Sequence, residues 1–129
     1  MAAATGAGQV PGTGPAPTEI KLHQKSRVME IAFDDGKTFR LSYEFLRVHS
    51  PSAEVRGHGP GQEVLQVGKR DVEIRALEPV GSYAVQPAFS DSHATGIYSW
   101  EYLYHLGENQ DRLWAEYLEK LNKAGASRG

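Results

Sequence analysis

Apolar and polar residues alternate with a period of two through the early part of the chain and fall at helical spacing near its end. Ile20 and Leu22 alternate with charged neighbours. Met29, Ile31 and Phe33 share one face of the next segment, and Val28, Glu30 and Ala32 share the other. Asp34-Asp35-Gly36-Lys37 follows, and Asp-Gly is a strong hairpin signal because Gly accepts the positive φ such turns need. Phe39, Leu41 and Tyr43 then alternate with Thr38, Arg40 and Ser42. The pattern predicts a meander of about three strands with one apolar face.

Further along, Ser42 is placed to cap a short helix over 43–48, which Pro51 stops. Arg56 to Gly61 reads as a glycine-rich loop and 64–67 as a short strand. Val72, Ile74 and Ala76 mark a better strand, and 78–81 a turn. Tyr83, Val85, Pro87 and Phe89 mark the next strand, in which Pro87, lacking an N–H, predicts a sheet edge or a strand end. Ser99 caps a helix over 100–106 with Gly107 as its C-terminal stop. Leu113, Trp114, Tyr117, Leu118 and Leu121 form the apolar stripe of a helix over 111–123. Strands first and helices last predict an α+β domain. It has antiparallel sheet, a short helix, and a C-terminal amphipathic helix packed on the sheet.

Composition narrows this picture in a few places. With 129 residues, 40% hydrophobic and 23% charged, the chain suits one globular domain. Residues 1–17 are mostly Ala, Gly, Thr and Pro and predict a disordered tail, with 123–129 as a second one. The domain is then expected over 18–122. A formal charge of −2 gives no nucleic-acid footprint. The absence of cysteine excludes disulfides, thiolate metal sites and cysteine nucleophiles within this chain. The start shows neither the basic nor the apolar region of a secretory signal, and no apolar run reaches membrane-spanning length. A cytoplasmic protein that touches neither membrane nor nucleic acid is expected.

Few residues invite chemistry. Asp91 and His93, two apart, read either as an Asx-type turn with a solvated histidine or as a weak metal patch. His49 and His58 would add ligands only if the loop folds back. The Arg56–Gly61 loop lacks the Lys-Ser/Thr of a phosphate-binding loop, since Gln62 and Glu63 follow Gly61. It reads as a flexible connection or as a partner contact through Arg56 and His58. Trp100, Tyr102, Tyr104, Trp114 and Tyr117 read either as core or as a partner-facing patch. Of Tyr98 and Tyr102, four apart at the helix start, one is expected outside the core. Ser50 and Ser52 lie near His49, but sequence neighbours without an orienting third group define no nucleophile.

Three stretches carry a resemblance: the early meander, YEFLRVHSPSAEVRGHGPGQ at 43–62, and KRDVEIRALEPVGSYAVQPAFSDSHATGIYSWEYLYHLG at 69–107. Together, over about 18–122, the chain resembles the small bacterial proteins similar to the N-terminal domain of gamma-butyrobetaine hydroxylase. In the eukaryotic hydroxylases that domain binds a structural zinc through three cysteines and one histidine. By resemblance those positions fall on Ser50, Ser52, Val55 and His93, so one ligand of the four is kept. Zinc takes four strong donors in structural sites, and neutral hydroxyls and a valine are poor substitutes. The resemblance also implies a link to iron–sulfur carriers, to which similar domains are fused in plastids.

An iron(II) dioxygenase would need two histidines and a carboxylate, usually beginning H-x-D or H-x-E. None of His23, His49, His58, His93 and His105 has Asp or Glu two residues later. The expectation is therefore a non-catalytic accessory domain with a protein partner and no resident cofactor. The alternative is an iron or zinc protein that binds weakly through His93 and Asp91.

Overall fold

In the computed structural model, residues 14–57, 59 and 61–129 are described. Residues 1–13, which make up most of the tail expected over 1–17, and His58 and Pro60 of the glycine-rich loop lie outside the described residues. The chain folds as an α+β domain with two antiparallel three-stranded sheets.

Alternation in the early segments produces the first sheet. Strands β1 (Pro17–His23), β2 (Val28–Phe33) and β3 (Thr38–Ser42) pair in sequence order. Met29, Ile31 and Leu41 are fully buried and Phe33 nearly so, which makes their shared face the core face. On the opposite face Lys21, Glu30 and Arg40 lie side by side in register. Arg40 Nη1 donates to Glu30 Oε1 at 2.7 Å. The hairpin between β2 and β3 closes at Asp34–Gly36, with Gly36 at φ 91°.

Ser42 ends β3 and caps α1 (Tyr43–Val48), accepting from the Phe45 N–H at 3.0 Å. This helix has no solvent face: all six of its residues are buried. Its apolar side chains join the two sheets into one core, with Tyr43, Phe45 and Leu46 packed among Met29 and Leu41 on one side and Ile74, Val85 and Tyr98 on the other. Ser52 caps a single further turn, α2 (Ala53–Arg56).

The second sheet contains β4 (Ile74–Val80), β5 (Ala84–Phe89) and the two-residue β6 (Tyr98–Ser99), with β5 in the middle. The turn lies three residues later than the Pro79-containing stretch predicts, because β4 continues to Val80 and reverses at Gly81, where φ is 52°. β6 pairs only with Ala84 and Val85, so from Gln86 onward, Pro87 included, β5 has one strand neighbour. Residues 64–67 form no strand. They run as an irregular segment tied to α2 by the bond from Val64 N–H to Val55 O, 2.8 Å.

Ser99 ends β6 and caps α3 (Trp100–Glu108), accepting from Tyr102 N–H. Gly107 is no stop, because the helix runs past it. A Cβ there would lie 2.4 Å from the Phe39 ring, so glycine is required for α3 to approach β3. Tyr104 of α3 meets Phe33 and Phe39 edge-on. Next, α4 (Gln110–Ala124) turns its Trp114, Tyr117 and Leu121 toward Phe45 and Val48 of α1.

The expected frayed end at 123–129 has structural partners instead. Gly125 caps α4 in the left-handed conformation at φ 64°. Gly68 and Arg70 N–H groups then donate to the Ser127 and Arg128 carbonyls. Arg128 grips the buried Glu44 carboxylate with two N–H groups, at 2.9 and 2.7 Å, and stacks over Trp114. At the other end, Pro17, placed in a tail by its composition, pairs with Phe33 as the first residue of β1. Among the described residues no helix is long and apolar enough to cross a membrane.

Candidate functional site

Two loops meet where the resemblance places its ligand positions. One joins α1 to α2 and carries Ser50 and Ser52; the other, 90–97, joins β5 to β6 and carries Asp91 and His93. The structure brings Ser50, Ser52 and His93 together and buries all three. Val55 is buried beside them on α2, and Gly96 lies over Ser50 so closely that a Cβ would sit 2.5 Å from its Oγ.

The polar atoms of this cluster are engaged with one another. His93 Nδ1 lies 3.0 Å from Glu54 Oε1, and Nε2 lies 2.8 Å from Ser50 Oγ. A carboxylate can only accept, so Nδ1 carries the proton and the Ser50 hydroxyl donates to Nε2. Ser50 Oγ in turn accepts from Ser52 N–H at 3.2 Å. Ser52 Oγ and Thr95 Oγ1 share a bond of 2.7 Å across the two loops. Burial lowers the His93 imidazole below its ordinary pKa, and the nearby Arg47 charge adds to this, while Glu54 opposes it. The ring is therefore neutral near pH 7.

Asp91 is the anchor of the second loop. Its carboxylate accepts from Arg47 Nε at 2.9 Å and from Lys69 Nζ at 2.6 Å. Burial pushes its pKa up, but the Lys69 and Arg47 contacts prevail and hold it below the usual carboxylate range. The buried Arg47 guanidinium depends on this carboxylate, since its Nη1 has no partner among the described residues. Asp91 Oδ1 also accepts from His93 N–H at 3.3 Å, the local bond of an Asx-type turn, and Ser92 follows Asp91 at φ 72°. The histidine of that turn is buried rather than solvated.

The donors here do not fit the family's zinc. Ser50 and Ser52 contribute neutral hydroxyls, Val55 contributes none, and the lone pair of His93 Nε2 is occupied by Ser50. Asp91 faces two cations, which a metal ion would have to displace. Among the described residues no group of three or more His, Asp or Glu side chains is arranged around a common point.

Ser50, His93 and Glu54 line up in the order of a serine–histidine–acid relay, an arrangement invisible from sequence neighbours. The serine is 1% exposed, packed under Gly96, and lies at the inner wall of a cleft. Sequence reasoning missed Glu54 and the two cations on Asp91, because those contacts span 39, 44 and 22 residues.

Beside this cluster a cleft of about 380 Å³ opens between the α1–α2 segment, residues 63–66 and the helices α3 and α4. Val48, Val55 and Leu65 supply apolar wall, and Arg56 and Lys120 lie on its rim. His49 lines it too, with Nδ1 bound to Phe45 O at 2.9 Å. Of the late aromatic residues, Tyr117 is buried, while Trp100, Tyr102, Tyr104 and Trp114 are partly buried against the core. Tyr98, in β6, is fully buried and donates to Leu46 O.

None of the curated proteins matches this chain. Two solved solution structures are similar to it. One is 52% identical with a TM-score of 0.78, covering 94% of this chain and 91% of its own. The other is 46% identical with a TM-score of 0.77, covering 88% and 90%. A crystal structure of a protein of unknown function of the DUF971 family from Acidithiobacillus ferrooxidans is 45% identical over 70% of this chain and 91% of its own, with a TM-score of 0.60. The family model described as gamma-butyrobetaine hydroxylase-like, N-terminal, matches residues 20–104, and the chain belongs to that family.

Proposed function

We propose that this chain is a non-catalytic accessory domain that works by binding a protein partner. The observation that carries the reading is the state of the Ser50–His93–Glu54 cluster. Its side chains are buried or tied to each other, and they clamp two loops together. A reacting group needs access and an open partner position. A structural clamp needs burial and satisfied hydrogen bonds, which is the condition found here. On this reading Ser50, Ser52 and His93, three of the four positions that by resemblance hold zinc in the eukaryotic hydroxylases, serve as a hydrogen-bonded fastener.

The test is capture from the native host with a tagged chain, followed by identification and reciprocal capture of the partner. One reproducible partner, retained after washing at moderate salt, is the expected result. Failure to recover any specific partner, together with turnover of a small substrate, would refute the reading.

A further inference from the structure

The cleft beside the fastener contains features that the fastener does not explain. Its Val48, Val55 and Leu65 wall is apolar, while its rim carries two cations without an ion-pair partner among the described residues, Arg56 and Lys120. The Arg56 guanidinium stacks over the Tyr102 ring, 5.3 Å from its centroid. A guanidinium held over an aromatic face keeps its N–H donors available at its own edges. Lys120 and Arg56 both act on the His49 ring and Glu116 opposes them, so the two cations and one carboxylate face the same part of the cleft. Glu116, also on the rim, is engaged by Arg112 one turn away, which leaves Glu63 as the unpaired carboxylate of the lining. The volume, about 380 Å³, falls in the range of small-ligand sites.

We propose that this cleft binds a small monocarboxylate with an apolar body, its carboxylate held between Arg56 and Lys120 and its hydrocarbon on the Val48–Val55–Leu65 wall. His49 adds selectivity. Its Nδ1–H is committed to Phe45 O, so Nε2 is left as an acceptor and favours a ligand that also carries a hydroxyl. Glu63 works against the carboxylate from the wall formed by 63–66. The proposal stands independently of any protein partner, because it concerns a small molecule and is read out on the isolated chain.

The experiment is a titration of the ¹⁵N-labelled chain with octanoate, octanamide and octylammonium, followed through backbone amide shifts. Octanoate is expected to move residues of the 48–56, 63–66 and 117–120 segments and to bind about tenfold tighter than octanamide, as one charged hydrogen-bonded contact implies. Arg56→Gln and Lys120→Gln should each remove most of that preference, and Glu63→Gln should strengthen octanoate binding. All three side chains are on the surface, so unchanged shifts elsewhere serve as the folding control. Should Arg56→Gln disturb the stack on Tyr102, the exposed Lys120→Gln decides alone. Equal shifts from acid and amide, shifts scattered over the surface, or no change on either charge removal would overturn the proposal.

Discussion

The Ser50 hydroxyl and the His93 ring are joined at 2.8 Å, although 43 residues separate them in the chain. That bond, continued to Glu54 and flanked by Ser52–Thr95, ties the α1–α2 loop to the loop between β5 and β6. Removing the ring leaves Ser50 buried without its acceptor and opens a cavity. His93→Ala is expected to cost about 2–4 kcal/mol in urea unfolding, from an unsatisfied buried hydroxyl and lost packing together. His93→Gln, which can still accept from Ser50, should cost clearly less.

Protonation should loosen the same fastener. Burial lowers the pKa of His93, and burial likewise lowers that of His49. Both rings therefore bind fewer protons folded than unfolded once the pH falls below about 6.5, the unfolded value. Their contribution is complete above that value and is lost as pH falls from there toward the folded pKa. The urea midpoint is expected to drop between neutral pH and about pH 5, and the drop should shrink in His93→Gln. Asp91 acts in a separate, more acidic window: its lowered pKa contributes stability that disappears only below about pH 4.

Asp91 is the counter-charge of a guanidinium that has little else. Arg47 is 7% exposed at its side chain, and Lys69, the other partner of Asp91, cannot replace a carboxylate. Asp91→Ala should therefore destabilise by about 2–3 kcal/mol, because it leaves the buried Arg47 charge uncompensated, although the Asp91 carboxylate itself is part-exposed. Thermal unfolding measures this, and the double variant Asp91→Ala with Arg47→Met should recover part of the loss.

Gly107 distinguishes packing from helix propensity. In an ordinary helix interior, Gly→Ala stabilises by about 0.5–1 kcal/mol. Here the added methyl meets the Phe39 ring at 2.4 Å. Gly107→Ala is expected to destabilise by about 1–3 kcal/mol, the usual cost of overpacking. Combining it with Phe39→Leu should relieve part of that cost.

Gly107 also shows where the sequence was legible. Periodicity located β2, β3, α3 and α4, because each displays one apolar face to one core. Ser42 and Ser99 signalled their helices, because an N-cap acts within three residues. Gly107 read as a stop, because Phe39, the residue that demands it, is far away in sequence. For the same reason 123–129 looked like a loose end: Glu44, Trp114 and the 68–70 backbone supply partners there. At the candidate site, the resemblance brought Ser50, Ser52 and His93 to one place, and no local pattern linked Glu54 to His93 or Arg47 to Asp91. Long-range polar contacts follow from tertiary packing and leave no period in the chain.

The central claim, that side-chain hydrogen bonds hold these two loops without a metal ion, is tested most directly on tag-free protein. Elemental analysis is combined with urea unfolding before and after treatment with a strong chelator. The expected result is zinc and iron far below one equivalent, with one unfolding midpoint in both samples. One equivalent of either metal, lost in His93→Ala and accompanied by a lower midpoint after chelation, would contradict it.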